Sequence, residues 1–145
     1  MPATQAFCPA GTTIAFASTG TLPTDKTIGE VVSIEKTGQK RNTDDASNLS
    51  SPQNYKEFIK TMKEGGDLTV NYNFVPGDAG QVAVSAAFEN DVLGAIPWQI
   101  VLPNSLGTFD FLAIIEEYGN YKFTTDKKAS DALKLKVSGP VTFTP

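Results

Sequence analysis

Residues 65–88, GGDLTVNYNFVPGDAGQVAVSAAF, change hydrophobic period halfway along, and this limits what the chain can become. Leu68, Val70, Tyr72 and Phe74 alternate with Asp67, Thr69, Asn71 and Asn73. A period of two predicts a strand with one buried face. Val75-Pro76-Gly77-Asp78 ends that strand, because proline has no N–H for a ladder and glycine frees the backbone. Asp78 is then placed to cap a helix, with Gln81 three positions on to reach back, as in a capping box. Val84, Ala87 and Phe88 share one helical face, and Gln81, Ser85 and Glu89 share another. Burying the apolar face contributes roughly 3–6 kcal/mol, at about 1.5–3 per large side chain. So short a helix cannot stand on that alone, and it is expected to lie as a plug across the open end or flank of a sheet.

The remaining strands are short. Residues 12–18 (TTIAFAS) predict a first strand after an N-terminal arm at residues 1–11, and residues 20–25 predict a turn. Residues 27–36 (TIGEVVSIEK) are a β-branched run, with Val32 and Ile34 on one face and Val31 and Ser33 on the other. Residues 97–102 put Trp98, Ile100 and Leu102 on one face. Residues 108–118 put Phe109, Phe111, Ala113 and Ile115 inward; Asp110, Leu112, Ile114 and Glu116 form a second face that is itself half apolar. Residues 119–130 are a polar connection with a short strand signal at Tyr121-Lys122-Phe123. Residues 131–138 alternate, with Leu133, Leu135 and Val137 inward and Lys134 and Lys136 outward; Val141 and Phe143 extend this strand past Gly139-Pro140.

Two stretches resist this reading. Residues 55–64 (YKEFIKTMKE) fit a helix through Tyr55, Phe58, Ile59 and Met62, and equally a strand through Tyr55, Glu57 and Ile59. Residues 37–54 (TGQKRNTDDASNLSSPQN) hold one large apolar side chain, Leu49, among charges that include Lys40, Arg41, Asp44 and Asp45. A loop of that length in a compact domain is generally functional or disordered. The sum is six to eight strands and one helix: a mainly β, antiparallel sandwich or partly open barrel with one flanking α-helix.

At 145 residues the chain is expected to be one domain with an adequate core. It has no basic n-region or long apolar h-region at its start, so no signal peptide is expected. No apolar run approaches the ~20 residues of a helical membrane span, and no membrane partner is expected. Cys8 is the sole cysteine, which rules out an internal disulfide.

Chemistry is scarce. There is no histidine, hence neither the commonest general base nor the commonest metal ligand. Glu116 and Glu117 point to opposite faces of a regular strand and cannot act as an acid/base pair. Asp44 and Asp45 lack a third oxygen ligand at calcium-loop spacing. The glycines near 65 and 77–80 lack phosphate-loop spacing. No enzyme, cofactor or metal site is expected. The net charge of −4 argues against a sequence-reading nucleic-acid binder.

The ordered stretches GTTI (11–14), YKEFI (55–59), MKEGGDLTVNYNF (62–74), PGDAGQ (76–81), Ala87-Phe88, Trp98-Gln99-Ile100 and LKVSGP (135–140) resemble the major tail tube protein of long-tailed, non-contractile phages of the lambda type. The resemblance implies a two-sheet β core flanked by a helix. It also implies rings of six copies stacked into a tube through which DNA passes without specific binding. Tape-measure, tail-tip and terminator proteins would be further partners, in the virion and, during assembly, in the host cytoplasm. It further implies that the long loop between early strands, here with Lys40, Arg41, Asp44, Asp45 and Leu49, reaches a neighbouring ring and orders on assembly. The lambda protein carries an additional C-terminal immunoglobulin-like domain; none is expected in a chain running to Pro145. The acidic balance suits a lumen that repels phosphate, and Asp67, Asp110 and Glu116 are strand acids that could line it. Two other readings fit the same pattern: a tube subunit of the haemolysin-coregulated secretion type, and a monomeric β-sandwich binding module.

Overall fold

The computed structural model describes residues 6–145, so part of the arm expected at 1–11 lies outside the described residues. Eleven strands and one α-helix follow in order. They are β1 (Thr13–Phe16), β2 (Lys26–Thr27), β3 (Val31–Lys36), β4 (Lys40–Asp45), β5 (Phe58–Glu64), β6 (Asp67–Asn73), α1 (Ala79–Glu89), β7 (Ile96–Val101), β8 (Thr108–Glu117), β9 (Lys122–Thr124), β10 (Lys127–Val137) and β11 (Thr142–Thr144). Nine of the strands form one antiparallel sheet whose main path runs β2-β1-β7-β8-β10-β6-β3, with β11 added on β8 and β9 on β10. Strands β4 and β5 form a separate two-stranded ladder.

The period-two alternation decides where the core sits. Ile14 and Phe16, Ile96, Trp98 and Ile100, Phe111, Ala113 and Ile115, Leu133, Leu135 and Val137, and Leu68, Val70 and Tyr72 all point to one face and meet in one cluster. A single sheet can bury one face against itself only by curling, so the molecule is a partly open barrel. Trp98 and Phe16 stack across neighbouring strands with ring centroids 4.7 Å apart. The two edges of the path are bridged by the bend between β2 and β3. Ile28 N donates to Ile14 O at 3.0 Å on one side, and Asn73 N donates to Glu30 O at 2.9 Å on the other.

Two bulges change which residues face in. The run at 27–36 is broken at Gly29-Glu30, where Glu30 takes φ 54°, and β3 then carries a bulge between Val31 and Ser33. Val31 and Ile34 consequently pack together on the core while Val32 is exposed; alternation alone had paired Val32 with Ile34. A second irregularity opposite Lys134 and Leu135 turns Glu117 onto the outer face. There its Oε2 lies 3.4 Å from Lys134 Nζ, so Glu116 and Glu117 do not take the opposite faces of a regular strand. The C-terminal residues also depart from expectation: β11 crosses to pair with β8 and does not prolong β10.

Helix α1 closes the flank against β2 and β8. Asp78 is its N-cap, accepting from Gln81 N at 3.0 Å. The reciprocal half of a capping box is absent. The Gln81 side chain is buried, with Oε1 accepting from Val75 N at 2.9 Å and Nε2 donating to Asn73 O at 2.9 Å and Gly29 O at 3.2 Å. Gln81 thus lies on the inward face with Gly80, Val84 and Ala87. Phe88, expected inward, is 40% exposed and packs its ring on Tyr118 at 4.8 Å.

Candidate functional site

The polar stretch at 37–54 is not a structureless loop. Residues 40–45 are strand β4, paired with β5, and the residues that fitted either helix or strand resolve to a strand from Phe58 onward. The pairing escapes a reading by pattern because every residue of β5 is exposed. A strand with no buried face carries no alternation to detect. Phe58, Ile59 and Met62 are exposed, as are Tyr55 and Leu49 beyond the ladder. An isolated two-stranded hairpin is marginal in water. This one therefore presents apolar side chains and open ladder edges to whatever it meets.

Polar side chains shape its tip. Asp45 Oδ1 accepts from Ser47 N at 2.8 Å, and Ser47 Oγ accepts from Glu57 N at 2.7 Å. Ala46 N donates to Glu57 O at 2.8 Å, and Asn48 N donates to Ser51 Oγ at 2.9 Å. Asp44 Oδ1 accepts from the Asp45 N–H at 2.9 Å. On the stem, Arg41 lies opposite Lys63, and Arg41 Nη1 donates to Thr61 O at 3.2 Å. Lys40 lies opposite Glu64. At the root, Thr37 N donates to Asp67 O at 2.9 Å and Asp67 N donates to Thr37 Oγ1 at 2.8 Å, fastening the hairpin to β6.

The Ser47 hydrogen bonds hold the Asp45 carboxyl below its ordinary value of 3.8. Ser18, donating to Asp25 from Oγ at 2.6 Å and from N at 2.8 Å, does the same there. A folded value below the unfolded one means that the contribution is present above the unfolded pKa and is lost as pH falls through the lowered value. An NMR titration from about pH 5 to about pH 2 is expected to shift the Ser47 and Ser18 amides with midpoints under 3.8. Asp45→Asn should abolish the Ser47 transition alone; midpoints at or above 3.8 would contradict these contacts.

The three strand acids face outward from the barrel but do not converge. Asp67 Oδ1 lies 3.8 Å from Lys136 Nζ on the adjoining strand. Asp110, half-buried, sits opposite Gln99 and Thr142. Glu116 is exposed six residues further along β8, roughly 20 Å away at about 3.4 Å per residue. The lysines of β10 lie between β6 and β8, so this face has mixed charge. Leu112 and Ile114 are also 44% and 48% exposed on it, so the described residues cover the half-apolar second face of β8 only in part. Among the described residues no three histidine, cysteine, aspartate or glutamate side chains gather as a metal site would require.

No protein-family model matches the chain, and no curated protein matches it. Solved structures do. A chain from the tail of an empty gene transfer agent particle, with C6 symmetry, superposes with a TM-score of 0.71 at 18% identity over 97% of this chain and 100% of that one. A chain of the sheath/tube terminator of an extracellular contractile injection system gives 0.70 at 13% identity, over 99% and 100%. The SPP1 tail tube gives 0.63 at 17% identity, over 91% of this chain and 75% of that one. The superpositions run over nearly the whole chain, and this chain has the phage tail tube fold.

Proposed function

We propose that the protein is the structural subunit of a tail tube: a chain that binds copies of itself, closes into six-membered rings and stacks them into a conduit for DNA. The observation that carries this is the β4–β5 hairpin, which stands apart from the barrel and exposes Phe58, Ile59 and Met62. A monomer gains nothing from holding three large apolar side chains in water, whereas each contributes about 1.5–3 kcal/mol when buried in a partner. Identical subunits meeting head-to-tail close into a ring when the rotation allows. Tape-measure, tip and terminator proteins would cap and gauge the tube in the virion, after assembly in the host cytoplasm. The matches to contractile injection systems favour a second reading, the inner tube of such a device, in which a sheath would surround the same tube.

Electron microscopy of the concentrated chain, with light scattering for its mass, tests both. Hollow tubes or six-membered rings are expected, and binding of a sheath protein to them would select the injection-system reading. A chain that stays monomeric even with its tip complex would overturn the proposal in favour of a monomeric binding module. On this reading Asp110 and Glu116 face the lumen with no cation within 4.0 Å among the described residues, while Lys136 offsets Asp67. Tubes built from Asp110→Asn/Glu116→Gln should form normally but release DNA more slowly; equal release would remove the lumen assignment.

A further inference from the structure

Asp131 is the one buried carboxylate among the described residues, at 5% exposure, and no lysine or arginine reaches it. Its Oδ2 accepts from Tyr72 Oη at 2.7 Å and its Oδ1 from Ala132 N at 2.7 Å. Those bonds hold the carboxyl group in place but bring no cation to it, and buried charges are normally paired. It lines a cleft of about 370 Å³ between one side of α1, the end of β6 with the turn that follows it, and the connection from β8 to β9. The walls are aromatic, from Tyr72, Phe74, Tyr118 and Tyr121, and Glu89 stands at the helix side. Among the described residues no basic side chain lines the cleft.

The rings are held in place. Phe74 meets Tyr121 edge-on at 4.9 Å, and Tyr118 Oη is engaged by Ser85 Oγ at 3.2 Å. Tyr121 is 46% exposed, so it forms a wall that solvent and a ligand can reach. Burial and the neighbouring Asp131 both act on the phenols. Burial, then the hydrogen bond and charge of Asp131, push Tyr72 far above its ordinary range. Burial, then Asp131 and Tyr118, raise Tyr121.

We propose that this cleft is a binding site for an organic cation, an alkylammonium or alkylguanidinium head, seated against the aromatic faces with Asp131 as its counter-charge. Aromatic rings attract cations through their quadrupole, and the attraction grows where water is excluded. A divalent metal would instead require several oxygen ligands at one point, and a neutral apolar ligand would leave the buried charge unmatched. The volume falls in the range of small-molecule clefts. One chemistry admits two sources: a free amine, or a lysine or arginine side chain from a second copy. The hairpin offers such side chains, because Arg41 and Lys63 face each other across the ladder with like charge, an arrangement that favours an acidic partner. The site itself does not depend on the tube reading, since a monomer would carry the same cleft.

The test is an NMR titration of the full chain with n-butylammonium and n-butylguanidinium, with sodium chloride at matched ionic strength as control. Saturable shifts are expected at Tyr121, Tyr118 and Ala132. Asp131→Asn, which keeps an acceptor for Tyr72, should weaken binding by about tenfold or more. Tyr121→Leu, at a half-exposed position and so without risk to the core, should weaken it severalfold. If saturating butylammonium also reduces self-association measured by light scattering, the native cation is a side chain of a second copy; if self-association is unchanged, it is a free amine. Shifts that merely follow salt, or that persist undiminished in both variants, overturn the proposal.

Discussion

Gly80→Ala is expected to destabilise the folded chain by about 3 kcal/mol, lowering the melting temperature by roughly 6–12 °C. Two effects oppose each other. Alanine is the better helix former, by about 1 kcal/mol. Against this, a Cβ at Gly80 would lie 1.9 Å from Thr27 O, 2.6 Å from Thr27 C and 2.9 Å from Ile28 Cα, all of them backbone. No side chain can rotate away, so the first turn of α1 must retreat from β2. That retreat strains the bonds on which the helix is seated: Asp78 Oδ2 with Gly29 N at 3.1 Å, and Gln81 Nε2 with Gly29 O and Asn73 O. Each buried polar group left unpaired costs about 1–3 kcal/mol, so the losses exceed the propensity gain. Gly77→Ala supplies the control, because its Cβ would meet nothing within 4 Å. Urea denaturation should separate the two variants clearly. A Gly80→Ala chain as stable as the parent would mean that α1 does not rest on Thr27.

The same contacts show how far the sequence could be read. Strands β6, β7, β8 and β10 announce themselves because one face of each is buried, and Leu68, Val70 and Tyr72 or Ile96, Trp98 and Ile100 then recur at period two. Asp78 announces the helix start because a cap needs only local geometry. Gln81 gives no such signal. Glutamine on a helix usually faces water, and its three partners come from the β2–β3 bend and the end of β6, remote from it in sequence or outside the helix. The bulges in β3 and at the end of β8 are equally silent, since the residue skipped in a ladder depends on the partner strand. The least legible element, β4, reads KRNTDD, with no apolar side chain and no β-branched residue but Thr43. Its strand state comes from pairing with β5, which a pattern confined to one segment cannot express.

Excising residues 39–64 and joining the ends with a two-residue turn is expected to leave a folded barrel that forms no tubes. The join is short because Thr37 and Gly66 already touch; a Cβ on Gly66 would lie 2.7 Å from Thr37 Oγ1. The core loses nothing: β4 and β5 form a ladder of their own, and none of their residues belongs to the core cluster. The melting temperature should therefore change little. Assembly should fail, because Phe58, Ile59 and Met62 go together. Their burial in a neighbour is worth roughly 5–9 kcal/mol before the cost of ordering the hairpin. A smaller lesion should give a graded effect. Phe58→Ser/Met62→Ser removes about 3 kcal/mol or more of that burial, so the concentration needed for tubes should rise at least about a hundredfold. Both side chains are mostly exposed in the single chain, at 61% and 81%, so the variant should keep the parent's stability. Sedimentation of polymer against total concentration measures the shift. Tubes from the excised chain at the parent's concentration would show that the hairpin is dispensable and that subunits meet through the barrel alone, by its open strand edges.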